Sequence, residues 1–219
     1  MAVTVRVLIA DDHALVRRGT REILQQHQAI EVIGEAADGE EALLLIEQDQ
    51  PEVVLMDLGM PGMSGMEAMR RIKERWPAIR VIILTVHGDD EYVFEAIRAG
   101  ASGFLLKNVR DRELINAVLT VGEGGAVIDT SLVQTLVGGV RGPSIPSENT
   151  EALTKRELEI LRLVARGQTN RAVGDQLGLS SRTVEVHLRK IFAKLDVNTR
   201  TQAAIAGLGS GLLLLEELQ

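Results

Sequence analysis

The chain has 219 residues, 45% hydrophobic and 25% charged, a soluble-type composition with room for two domains. No apolar run approaches the roughly 20 residues that cross a bilayer, and the N-terminus, with Arg6 inside an apolar stretch that ends at Asp11 and Asp12, lacks the layout of a secretory signal, so a cytoplasmic protein is expected. The absence of cysteine excludes disulfides, thiolate zinc sites and cysteine nucleophiles, leaving any metal to oxygen or imidazole ligands.

Residues 5–121 alternate between strand and helix. Val5–Ala10 reads as a strand, Leu15–Gln26 as an amphipathic helix, Ile30–Ala36 as a strand and Glu40–Gln48 as a helix. Val53–Met56, Val81–Leu84 and Ser102–Leu106 follow as strands, interleaved with helices near Gly65–Arg75, Asp90–Arg98 and Asp111–Val121. Their length of about five, their β-branched content and their Gly and Pro boundaries favour strands over buried helix, and five βα units predict a doubly wound five-stranded parallel sheet. The segment GGVRGPSIPSENT, residues 138–150, resists regular structure and marks a linker. Beyond it the pattern is wholly helical, so the expected division is 1–124, a linker over 125–150, and a small all-α unit over 151–219.

The net charge of −7 hides an asymmetry. Residues 1–150 hold 14 Lys and Arg against 23 Asp and Glu, whereas 151–219 hold 10 against 8. Only the second unit has the balance for contact with phosphate backbones.

In an open parallel sheet ligands bind beyond the carboxyl ends of the strands. Asp11 and Asp12 follow the first strand, Asp57 closes the third, Thr85 the fourth and Lys107 the fifth. Three carboxylates brought together repel one another unless a cation lies among them, and an oxygen-only site with open positions suits Mg²⁺. A carboxylate so placed can attack phosphorus while Lys107 and the Thr85 hydroxyl stabilise charge on the transferring oxygens, which makes Asp57 the candidate nucleophile.

Residues 3–122 resemble the receiver domain of two-component response regulators through VLIADDH, MDLGMPGMSG around Asp57, LTVH with Thr85, and GFLLKN with Lys107. The resemblance implies that Asp57 accepts phosphate from a sensor histidine kinase or a small phosphodonor. It implies Mg²⁺ on Asp12, Asp57 and the Gly59 carbonyl, with Asp11 acting through water, and a switch pair in Thr85 and Phe104, although Phe104 also fits as a plain core aromatic. Gly59 carries no side chain two residues after Asp57, and Val86 is bulkier than the Ala usual after the switch Thr, so phosphoryl lifetime stays open. His87 reads as a loop contact.

In the second unit Thr154 and Glu157 form a capping box that opens a helix, Gly167 stops it, Thr169 caps the next, and Gly178–Ser180 turns into a third beginning near Ser181. This is helix-turn-helix spacing. Residues 153–207, with LTKRELEILRLVARGQTN and SSRTVEVHLRKIFAKLDVNTRTQA, resemble the LuxR-type DNA-binding domain, and joined to a receiver they indicate the NarL/FixJ class. The resemblance implies that Glu185, Val186 and Arg189 face bases, while Arg182, Thr183, His187, Lys190, Lys194 and Arg200 position the phosphate backbone of double-stranded DNA. Glu185 stands where relatives often carry Lys, and Gly174 stands where Ala is usual, at an expected cost of about 0.5–1 kcal/mol. With Phe192 the one aromatic residue of this unit, base stacking on single strands is disfavoured. The last helix and the leucine-rich tail fit either a homodimer contact on an inverted repeat or completion of the small core.

The implied activity is transcriptional control, the receiver catalysing only its own phosphoryl transfer and loss. A phosphatase built on Asp57 would need a second acid close by, which Leu58 and Gly59 do not supply. A regulator whose receiver is only a dimerisation scaffold remains the alternative.

Overall fold

The computed structural model describes residues 4–86, 90–129 and 152–214. The first unit is built from β1 (Val5–Ala10), α1 (Ala14–Leu24), β2 (Ile30–Ala36), α2 (Gly39–Asp49), β3 (Val53–Met56), α3 (Gly65–Arg75), β4 (Arg80–Thr85), α4 (Asp90–Arg98), β5 (Gly103–Leu106), α5 (Asp111–Gly122) and β6 (Val127–Ile128). All strands are parallel, in the order β2-β1-β3-β4-β5-β6. The five expected strands stand in place, and a sixth joins them. Val127 and Ile128 fall where composition suggested linker, yet they pair with Gly103 and Phe104 of β5. Two residues carry too little periodicity for a strand to be read from sequence.

Side chains on successive strand positions point to opposite faces, and the two cores follow that alternation. Leu8, Val54, Met56, Val81, Ile83 and Phe104 pack under α2, α3 and α4. Val7, Ile9, Val53, Leu55, Ile82 and Leu105 pack under α1 and α5. Burial on both faces leaves the strand ends as the places where polar groups reach water.

The second unit comprises α6 (Lys155–Ala165), α7 (Asn170–Leu177), α8 (Ser181–Leu195) and α9 (Arg200–Gly209) around a core of Ile160, Leu161, Val164, Val173, Val184, Leu188, Ile191 and Ala203. Each helix is capped by a hydroxyl: Thr154, Thr169, Ser180 and Thr199 accept from the backbone N–H three residues on. Such a cap is worth about 1 kcal/mol, which matters for helices of 8 to 15 residues. Among the described residues, no helix is long and apolar enough to cross a membrane. The Gly138–Thr150 segment, His87 and the end of the leucine-rich tail lie outside the described residues.

Candidate functional site

The carboxyl edge of the sheet gathers its polar groups because neighbouring strands end in register. Ala10 at the end of β1 pairs with Met56 at the end of β3, and Thr85 at the end of β4 pairs with Leu106 at the end of β5. The next residues therefore emerge side by side. Asp57 N–H donates to the Ala10 carbonyl at 2.8 Å, and Lys107 N–H donates to the Thr85 carbonyl at 2.7 Å. Asp11, Asp57 and Thr85 are only 3%, 6% and 8% exposed.

Lys107 ties the edge together. Its Nζ lies 2.7 Å from Asp11 Oδ2 and 2.8 Å from Asp57 Oδ2. Burial alone works against the ammonium, but hydrogen bonds to Asp11 and Asp57, with their negative charge, outweigh it and hold the Lys107 pKa above its ordinary value. Asp11 Oδ1 accepts the His13 backbone N–H at 2.8 Å.

Asp11, Asp12, His13 and Asp57 each bring one ligand atom into a group whose members lie within 4.8 Å of one another. One lysine sits among three carboxylates. Asp12 Oδ1 is shielded from water and receives no hydrogen bond, although His13 Nδ1 lies 2.8 Å away. A shielded carboxylate oxygen without an aligned donor is what a hard cation relieves, so the donor set fits a divalent metal with oxygen ligands.

Three residues that shape this edge escaped the sequence reading. Gly65, at the start of α3, is needed because a Cβ there would stand 1.8 Å from the Asp57 carbonyl oxygen, so the helix is pressed against the backbone that carries the carboxylate. Arg17 on α1 donates to the Asp11 carbonyl at 2.5 Å and pairs with Glu35 at 3.3 Å, which anchors the Asp11 backbone. His13 was visible only as the third residue of the acid pair's motif; its proximity to Asp12 comes from the turn into α1. Gly59 is exposed, and a Cβ there would lie 3.9 Å from Asp57 Oδ2. Phe104 is 0% exposed, with its ring inside the core under α2, α3 and α4, whereas Val86 is 64% exposed.

The second candidate surface is α8. Arg182, Val186, Arg189 and Lys190 are exposed along it, and Glu185 and His187 are half-buried. Glu185 Oε1 accepts from Arg189 Nη2 at 2.5 Å, one helical turn away, so the two candidate base readers bind one another before any DNA arrives. Thr183 hydrogen-bonds with the Ser180 hydroxyl at 2.7 Å and belongs to the helix start. His187 Nδ1 is shielded and has no hydrogen-bond partner.

Two expected backbone contacts are occupied elsewhere. Lys194 lies 2.9 Å from Glu157 Oε2, and Glu157 is itself 4% exposed. Burial favours the neutral acid, yet the Thr154 backbone and side chain and the Lys194 ammonium hold the Glu157 pKa below its usual value. This pair welds α8 to the first turn of α6. Arg200 is 8% exposed, donating to Asn170 Oδ1 at 2.7 Å, to the Gln168 carbonyl, and to the Gly124 carbonyl of the first unit at 3.3 Å. Burial brings its pKa down to about 10. Its guanidinium is turned inward at the junction of the two units, which corrects the expectation that it meets phosphate from this position. The expectation for Gly174 also changes. A Cβ there would stand 2.6 Å from the Leu179 carbonyl, so the glycine is the condition for the turn to fold back on α7 rather than a source of looseness.

The pattern "Response regulator receiver domain" matches residues 7–119, and "Bacterial regulatory proteins, luxR family" matches 151–206. The chain is 42% identical over 215 residues to the oxygen regulatory protein NreC of Staphylococcus carnosus, covering 95% of this chain and 99% of that one. Among solved structures, the response regulator ChrA of a heme-sensing two-component system superposes with a TM-score of 0.54 at 34% identity, covering 96% of this chain and 100% of that one. A structure of two RcsB dimers bound to two parallel DNAs gives 0.57 at 25% identity, covering 96% and 100%. A parallel sheet with an acidic, lysine-bridged edge, followed by a helix-turn-helix unit and matched along nearly its whole length by these relatives, makes the chain a member of the NarL/FixJ class of two-component response regulators, which are regulators of transcription.

Proposed function

We propose that Asp57 is the phosphoryl acceptor of this regulator, and that its modification in the unit 1–124 controls how the unit 151–219 engages double-stranded DNA. The observation that carries this reading is the Lys107 ammonium bridging Asp11 and Asp57 on the sheet edge where Asp12 and Thr85 also end. An Asp57 oxygen forms the new bond to phosphorus as the bond to the donor's leaving group breaks, a histidine kinase's imidazole nitrogen being the expected one. Lys107 then exchanges a carboxylate contact for a phosphoryl oxygen at little cost in charge. The Thr85 hydroxyl closes the opposite side, and movement toward the phosphoryl group passes to Phe104 on the neighbouring strand, where Ile83 pairs with Phe104 and Thr85 with Leu106. Asp12, Asp57 and the Gly59 carbonyl would hold Mg²⁺, with Asp11 through water; the ion neutralises phosphoryl oxygens when bound.

On α8, Val186 and the Glu185–Arg189 pair face the bases, with Arg182 and Lys190 on phosphates. A relative, RcsB, bound to DNA as dimers supports a homodimer, with an inverted repeat as its target. A cytoplasmic location follows from that role.

Incubation of the wild type and Asp57→Ala with Mg²⁺ and acetyl phosphate, followed by intact mass, tests the acceptor. The wild type gains one phosphoryl mass and the variant none. Absence of the gain in both would leave the receiver a scaffold.

A further inference from the structure

Lys73 lies in the last turn of α3 with its stem covered and its amine tethered. Nζ donates to the Ile79 carbonyl at 2.8 Å, just ahead of β4. Gly100, at a φ of +97°, runs along the stem: a Cβ there would lie 3.6 Å from Lys73 Cγ and 3.7 Å from Cδ and Cε. Lys73 lines an open groove of about 540 Å³ between α3 and α4, together with Arg70, Glu74, Glu95, Arg98 and Ala99. Arg70 is engaged by Glu95. Among the described residues no carboxylate pairs with Lys73, and the exposed Arg98 guanidinium has no ion pair either.

An ammonium so placed has given up water without gaining a counter-charge. Burial first, and the charge of Arg80 second, bring the Lys73 pKa down to about 8. At neutral pH roughly a tenth of Lys73 is free amine, against roughly one part in three thousand for an ordinary lysine. The chain's other lysines are placed differently. Lys107 bridges Asp11 and Asp57, Lys194 pairs with Glu157, and Lys155 and Lys190 stand exposed to water. As a free amine Lys73 keeps one N–H on the Ile79 carbonyl and has its lone pair available to an electrophile. Arg98, in the same groove, suits the phosphate of an activated acyl donor.

We propose that Lys73 is a site of acylation by acyl phosphates, which Arg98 seats in the groove between α3 and α4. An acyl phosphate has two electrophilic centres. A carboxylate such as Asp57 attacks the phosphorus, whereas an amine attacks the acyl carbon. At Lys73 the Nζ lone pair forms a bond to that carbon and the bond from carbon to the phosphate oxygen breaks. The proton given up by nitrogen leaves with the phosphate as hydrogen phosphate, and the lysine becomes a neutral amide. No further reagent is consumed. The product removes a charge that burial disfavours, and the amide N–H still suits the Ile79 carbonyl. The charged groups around the amine are then Arg70 and Glu74 on α3, Glu95 and Arg98 on α4, and Arg80 on β4. The site is separate from the acidic edge and stands whether or not Asp57 accepts phosphate.

The full chain, incubated with acetyl phosphate and followed by peptide mass spectrometry at each lysine, gives the test. At neutral pH Lys73 gains acetyl at least about tenfold faster than Lys155 and Lys190, and the advantage disappears when the chain is unfolded in urea. Its rate levels off above a pH of about 8, while those of Lys155 and Lys190 go on rising. Lys73→Arg loses this product and keeps the fold, checked by circular dichroism. Arg98→Ala slows acetylation of Lys73 by acetyl phosphate by about threefold or more, and leaves its acetylation by a succinimidyl ester, which carries no phosphate, unchanged. Asp57→Ala acquires acetyl at Lys73 as the wild type does, so a failure of the phosphoryl acceptor and a failure of this site are read separately. Lys73 modified no faster than Lys155 and Lys190 in the folded chain, or a rate that climbs without levelling through pH 10, overturns the site. Equal slowing of both reagents by Arg98→Ala, or slowing of neither, overturns the preference for acyl phosphates.

Discussion

The receiver and the helical unit solve the display of polar chemistry in opposite ways. The receiver collects Asp11, Asp57, Thr85 and Lys107 from four strand ends into an edge that is almost closed to water. The helical unit lines Arg182, Val186, Arg189 and Lys190 along one exposed helix. A buried ion cluster is sensitive to every member, since removing one leaves the others uncompensated; a surface row loses one contact at a time. Chemistry on a small phosphoryl group suits the first arrangement, and reading a long polyanion suits the second.

Six substitutions can break or sharpen that contrast. The largest effect is expected from Phe104→Ala, which empties a fully buried ring site in the receiver and costs about 3–5 kcal/mol in urea unfolding. A cost near zero would show that the ring does not pack as described. Lys107→Met should cost about 3 kcal/mol, because Asp11 and Asp57 are left facing each other, and millimolar Mg²⁺ should restore part of it. Equal loss with and without Mg²⁺ would argue against a cation at the acidic edge. By contrast Arg189→Ala on the exposed helix should leave unfolding unchanged and weaken duplex binding, so that paired stability and binding titrations separate the two modes.

In the helical unit Gly174→Ala should destabilise by about 1–3 kcal/mol despite alanine's better helix propensity, since the new methyl meets the Leu179 carbonyl. Stabilisation would mean that the turn yields without cost. The smallest effects are those of pH, and they fall in separate windows. Glu157 has a lowered folded pKa, so its contribution to the helical unit is present above the unfolded value of 4.5 and is lost as pH falls through the folded one. Lys73 of the receiver, whose ammonium donates to the Ile79 carbonyl at 2.8 Å, is lowered to about 8 by burial and the nearby Arg80. Its unfolded form binds more protons between about 8 and 10.5, so stability rises with pH across that interval. Lys73→Met should abolish the alkaline rise, and Glu157→Gln the acidic loss, in unfolding midpoints measured against pH.

Local pattern by itself determined the strand and helix order, the capping box at Thr154 and the placing of Asp11, Asp12, Asp57, Thr85 and Lys107 at strand ends, because periodicity and chain order are one-dimensional properties and a parallel sheet converts them directly into an edge. Tertiary structure alone decided the rest. Arg200 and Lys194 look identical in sequence to phosphate-binding cations, and only the approach of Gly124, Gln168 and Asn170 to one, and of Glu157 to the other, turns them inward. The need for glycine at positions 65 and 174 is set by how the nearby turns fold back, bringing the Asp57 and Leu179 carbonyls against them, and the seating of α9 against α4 depends on backbone that comes near from far along the chain, a distance that no window of neighbouring residues encodes.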